Sequence, residues 1–159
     1  MEANPSSTVR RVITGSPPTE RAHAALEAIA LGSVAITTLA LAAVGLELTF
    51  AQWRVLVIVG DDPDGATVTE IATRLGSEVS PVSRLVGRIA RRGLVGVRKD
   101  DRDRRVTRVA ITDAGRELRA TVLERRRELL RDVLAASGPL DPAVEAELVR
   151  IGVAFRRYT

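Results

Sequence analysis

The sequence predicts a mainly α chain with a small β-hairpin, a winged helix-turn-helix set between N- and C-terminal helices, and three observations carry that expectation. First, residues 80–92 (SPVSRLVGRIARR) hold a full set of helix signals: Ser80 can N-cap, Pro81 is pre-set for the first helical position and Gly93 can end the run. Second, short apolar pieces follow at 94–97 and 106–111, and the run 98–105 between them is too charged for a core, so it reads as a hairpin tip. Third, residues 67–75 form a shorter helix upstream, with Thr67 and Glu70 in capping-box spacing and Gly76 to stop it. Short helix, tight turn at 76–79, basic helix and hairpin, in that order, make a winged helix-turn-helix.

The charge is concentrated on the same stretch. Positions 81–108 hold ten basic residues against three acidic ones, a net of +7, whereas the other 131 positions hold fourteen against seventeen, a net of −3. A positive field confined to one helix and one hairpin is the footprint of a polyanion, and a helix fits the major groove of double-stranded DNA. A solvated charged face is the competing reading, and the order of helix, turn and hairpin weighs against it. Of the 24 basic residues only Lys99 is a lysine, a bias that suits bidentate phosphate and guanine contacts but that a GC-rich genome also produces.

Whole-chain properties narrow the classes. With 159 residues, 45% of them apolar, the chain can bury a real core, while aromatics at 3% leave that core to Ala, Val, Leu and Ile. The absence of cysteine excludes disulfides, thiolate metal sites and cysteine redox sensing. No Ser/His/Asp or Cys/His set, phosphate loop or metal cluster is visible, so the chain is expected to be no enzyme and to hold neither cofactor nor metal. The first twenty residues lack an apolar signal-peptide core, which makes the cytoplasm the expected location.

Residues 1–18, rich in Ser, Thr, Pro and Gly, are expected to be a disordered tail. Residues 19–47 hold a long helix with Thr19 as its N-cap. It lacks charge for nineteen residues from Ala28 to Leu46, enough for a membrane span, yet its Ala, Gly, Ser and Thr content and missing aromatic belt favour a buried subunit interface. His23, without a second ligand in view, is a surface or interface residue.

Residues 48–111 make the winged unit, opened by a helix with Thr49 and Gln52 in capping-box spacing and with Trp53, Leu56 and Val57 on one stripe. The loop Asp61-Asp62-Pro63-Asp64-Gly65 is similar to a calcium loop, but setting Gly65 at the sixth position leaves Gly60 and Ile71 where oxygen ligands belong, so it reads as a turn. Residues 112–159 hold two more helices, the first with Leu118, Val122, Leu129 and Val133 on one face, the second with Val144, Leu148, Ile151 and Phe155 at helical spacing. These stripes suit either pairing between subunits or packing of the chain's own core.

In order and in spacing, Leu48-Thr49 and Gln52, Thr69-Glu70-Ile71-Ala72, Ser83-Arg84-Leu85-Val86, Arg92-Gly93-Leu94-Val95 and Ile111-Thr112-Asp113-Ala114-Gly115 resemble the MarR family of bacterial transcription regulators. The wing fits the family's Asp-x-Arg-Asp-x-Arg pattern at Asp100, Arg102, Asp103 and Arg105. The resemblance implies a homodimer in which 19–47 and 112–159 supply the dimerisation helices. It also implies a pseudopalindromic operator, most often repression, and release by a small-molecule effector bound between the winged unit and the terminal helices. The unusually apolar first helix departs from the family pattern.

Ser80, Ser83, Arg84 and Arg88 are the candidates for the major groove, since the start of a recognition helix meets base edges and arginine clamps guanine. Arg91 and Arg92 are assigned to phosphate or solvent. On the wing the candidates are Arg102, Arg104 and Arg105, with Arg102 suited to the narrow minor groove of A·T-rich DNA. Asp100 and Asp103 are expected to orient an arginine, Arg105 or Arg102, because a carboxylate beside phosphates is repelled. Trp53 is either plain core or the edge of an effector pocket. The alternative from another class is a winged-helix module that binds protein without DNA, which the net charge disfavours.

Overall fold

The computed structural model describes residues 19–45, 48–100 and 103–155, so the expected tail at 1–18 and the candidate Arg102 lie outside the described residues. The elements are α1 (Glu20–Ala43), α2 (Phe50–Gly60), β1 (Ala66–Thr67), α3 (Val68–Leu75), α4 (Val79–Arg91), β2 (Val95–Lys99), β3 (Thr107–Ile111), α5 (Asp113–Ala136) and α6 (Pro142–Phe155). Two compact units divide the chain, Met1–Ser33 and Val34–Thr159, and the division falls inside α1.

In the first unit the Thr19 hydroxyl accepts the amide of Ala22 at 3.3 Å and so caps α1. Ile29 and Leu31 are exposed on this stretch. By length and composition α1 could cross a membrane, a test that core helices of soluble proteins also pass.

The second unit is built around α2. Its capping box is complete, Thr49 Oγ1 accepting the Gln52 amide at 3.3 Å and Gln52 Oε1 accepting the Thr49 amide at 2.9 Å. Trp53, Val55, Leu56, Ile58 and Val59 are all buried, so α2 is apolar nearly all round because it is covered nearly all round. Ala40 and Leu41, Ile71 and Ala72, Val82, Val86 and Ile89, Val109, and Leu118 and Val122 complete one core. Each Val, Leu or Ile side chain among them contributes roughly 1.5–3 kcal/mol when fully buried.

β2 and β3 form the expected hairpin, but the ladder runs past the apolar residues, with Arg98 opposite Arg108 and Lys99 opposite Thr107. The tip is therefore shorter than the charged run 98–105 suggests, because strand pairing is made by the backbone and charged side chains can stand out into solvent. β1 adds a third antiparallel strand, Ala66 opposite Val109 and Thr67 opposite Arg108. Two residues carry no period, so the pattern of apolar residues does not announce it. The acidic loop before it is a turn, in which Asp62 Oδ1 accepts the Asp64 amide at 3.0 Å. Gly65 closes the turn at φ 74°, and a Cβ there would stand 2.5 Å from the Val109 carbonyl oxygen.

Thr112 caps α5, its hydroxyl accepting the Gly115 amide at 3.1 Å and donating to the Gly93 carbonyl at 2.7 Å. Gly115 lets α5 start against the entry to β2, where a Cβ would meet the Leu94 carbonyl at 2.1 Å. Leu118 and Val122 reach the core, whereas Val133 on the same stripe is exposed. α6 buries no residue, and Val144, Leu148 and Phe155 are exposed, so that stripe does not pack the chain's own core.

Candidate nucleic-acid interface

The helix-turn-helix is α3 and α4. Thr67 Oγ1 accepts the Glu70 amide at 3.2 Å and Glu70 Oε2 accepts the Thr67 amide at 2.7 Å, the expected capping box. The Thr67 amide and then its hydroxyl, both donating to the carboxylate, hold Glu70 below the ordinary carboxyl range. Gly76 ends α3 in the left-handed region.

α4 starts earlier than its sequence signals place it. Glu78 is the N-cap, without a side-chain cap bond, so Ser80 is the second helical residue and not the cap, and Pro81 is the third and not the first. Proline is tolerated there because first-turn amides have no intrahelical acceptor to lose.

Val82, Val86 and Ile89 form the buried face of α4. Opposite them Ser80, Arg84 and Arg91 stand exposed on one stripe, with half-buried Gly87 between the two arginines. Ser83 and Arg88, also exposed, flank that stripe on opposite sides. Ser83 lines a recess of about 490 Å³ with Thr67 and Thr69 of the α3 start and Arg105 and Thr107 of the wing. Arg88 lines another, of about 390 Å³, with Phe50 and Arg54 of α2, Ser77 and Leu85. The structure thus brings Ser83 to Arg105, while Arg88 shares its surroundings with Arg54. Sequence reasoning missed Thr67, Thr69 and Thr107 as neighbours of this surface. Thr67 was visible only as a cap, and Thr69 only as part of Thr69-Glu70-Ile71-Ala72.

On the wing, Asp103 Oδ1 accepts the Arg105 amide at 2.9 Å and its Nε–H at 3.2 Å, leaving the Arg105 side chain 92% exposed. Asp100 turns toward the base of the hairpin: its Oδ1 accepts the Asp103 amide at 3.2 Å and its Oδ2 accepts the Nε–H of Arg108. Arg108 Nη1 donates in turn to the Gly65 carbonyl at 3.1 Å. The Asp100 carboxylate raises the Arg108 pKa above its ordinary value. Asp100 therefore holds Arg108, a residue the sequence did not single out, and part of the net positive charge is used inside the wing. Arg104 is exposed.

Trp53 is 4% exposed within the core and lines neither recess. Among the described residues no group of three His, Cys, Asp or Glu side chains could hold a metal ion.

A small antiparallel sheet, a two-helix reader and a charged hairpin define a winged-helix protein. Residues 46–106 match the model of the MarR family, so the winged-helix region of this chain is similar to that family. The HTH-type transcriptional repressor IacR of Pseudomonas putida is 30% identical over 92 residues, which are 58% of this chain and 52% of IacR, so the match spans about half the length of that relative. Among solved structures, RV1404 from Mycobacterium tuberculosis superposes with a TM-score of 0.73 at 27% identity, covering 92% of this chain and 97% of that one. CouR from Rhodococcus jostii, solved bound to p-coumaroyl-CoA, shares the fold with a TM-score of 0.65 at 24% identity, covering 86% of this chain and 91% of that one.

Proposed function

We propose that the protein is a homodimeric, sequence-specific DNA-binding regulator in the cytoplasm, a repressor released from a pseudopalindromic operator by a small-molecule effector. The observation that carries this reading is the two-sided α4, packed on the core by Val82, Val86 and Ile89 and exposing Ser80, Ser83, Arg84 and Arg88 beside a wing that exposes Arg104 and Arg105. A helix with its side chains is about 10–12 Å across and the major groove about 12 Å wide, so α4 can enter it whole. Arg84 and Arg88 then supply guanine or phosphate contacts, and the wing arginines, Arg102 among them, reach the adjacent minor groove.

The bare apolar surface of the last helix, with Val149 63% exposed, supports a second copy as its cover. A two-fold dimer would present two copies of α4 to two half-sites. The name of IacR supports repression, and the ligand of CouR supports a small-molecule effector.

Fluorescence anisotropy on duplexes selected from a random pool tests the central claim. Log affinity should fall with log salt at a slope of roughly −0.9 per phosphate contact. Arg84→Ala should cost about 1–3 kcal/mol and relax preference at one base pair per half-site. A flat salt response would overturn the reading. Leu148→Glu should convert a sedimenting dimer to monomer and weaken operator binding. Quenching of Trp53, the single tryptophan, by a candidate effector at the concentrations that release DNA tests the last part.

A further inference from the structure

Gly87 is the ninth residue of the thirteen in α4, the middle of the helix, where glycine is less favourable than any residue but proline. Nothing among the described residues asks for it. It is not among the glycines with positive φ, and a Cβ built on it would meet only Nη1 of Arg91, at 3.9 Å, which is ordinary contact with the end of a flexible side chain. Gly65 and Gly115 are different, since a Cβ at either would run into backbone at 2.5 and 2.1 Å. Gly87 also lies on the outer stripe of α4, between Arg84 and Arg91 and opposite the buried Val82, Val86 and Ile89. The helix gives up stability at a point that packing leaves free, on the face that would meet DNA.

We infer that Gly87 is a specificity-determining residue, whose missing side chain lets the α4 backbone close onto a thymine methyl in the major groove. The inference rests on the DNA-binding reading above. A helix nearly fills the major groove, so one methyl group on the contacting face decides how deeply it sits. What the bare backbone offers is an apolar Cα surface and a gap the size of a methyl. Of the base edges in the major groove, the thymine C5-methyl is the one read by apolar contact and not by hydrogen bonding. Arg84 and Arg91, one turn to either side, would hold the helix down on neighbouring bases or phosphates while Gly87 sets the distance.

The test compares the parent protein and Gly87→Ala on the selected operator and on duplexes with dU in place of individual dT. The parent should bind the operator with a steep salt dependence and lose affinity severalfold when one particular dT per half-site becomes dU. Gly87→Ala should bind the dT operator about tenfold more weakly, the loss of one good contact. It should recover most of that loss on the dU duplex, where the opposing methyl is gone, keep the parent's salt slope, and melt no lower than the parent. The inference is overturned if Gly87→Ala binds the dT operator as the parent does, is weakened equally on both duplexes, or melts at a lower temperature. A parent protein that binds no duplex overturns the DNA-binding reading itself, which separates the two failures.

Discussion

Asp100 and Arg108 close the base of the wing: the carboxylate takes the guanidinium Nε–H from the facing strand, with the two side chains only 13% and 28% exposed. The other end of the same guanidinium holds the Gly65 carbonyl, just ahead of β1 and α3. Arg108 thus ties the base of the hairpin to the loop that leads into the helix-turn-helix.

Asp100→Asn keeps an oxygen for the Asp103 amide but removes the charge that holds Arg108. We expect a melting temperature a few degrees lower, faster hydrogen exchange at the β1 and β3 amides, and weaker DNA binding although the protein becomes more positive. Unchanged exchange together with tighter binding would show that the pair does not position the wing.

Asp103 Oδ1 accepts both the backbone amide and the guanidinium Nε–H of Arg105, which ties the exposed side chain to the turn. An arginine already held gives up less rotamer freedom on binding, a saving of about 0.5–1.5 kcal/mol per side chain. Asp103→Ala should therefore weaken operator binding about two- to tenfold at fixed salt. Counting charges predicts the opposite sign, so tighter binding would leave only a diffuse basic patch.

Gly115→Ala should destabilise the protein by about 1–3 kcal/mol, since overpacking must push α5 away from the Leu94 carbonyl. Urea unfolding reads this as a lower midpoint at unchanged slope. A neutral substitution would mean that the α5 start moves aside without resistance.

The lowered pKa of Glu70 sets the sign of a pH effect. Because the folded-state value lies below the ordinary 4.5, the ionised cap contributes stability above that value and loses it as the pH falls through the lower folded value. Between about pH 5 and pH 3, Glu70→Gln should lose less stability than the parent, since the amide oxygen still accepts the Thr67 N–H but does not titrate. Parallel melting curves across that window would remove Glu70 from the acid response.

Both capping boxes, the stop at Gly76 and the two paired strands of the wing follow from the sequence by itself. In each the partners lie within a few positions of one another, so a spacing already is a geometry. The start of α4 was misplaced because Ser80 and Pro81 are compatible with several first-turn positions, and the choice fell to the turn after Gly76. Only the tertiary structure decided that Asp100 takes Arg108, that Arg108 reaches Gly65, that Ala66–Thr67 forms a strand, and that Ser83 and Arg105 share a recess while Arg88 lies with Arg54. The chain has twenty-three arginines, and nothing local tells an acidic residue which of them folding will bring within reach. The core decides it, because the packing of Val82, Val86 and Ile89 against α2 and of Val109 beneath the sheet sets where the charges of α4 and β3 stand.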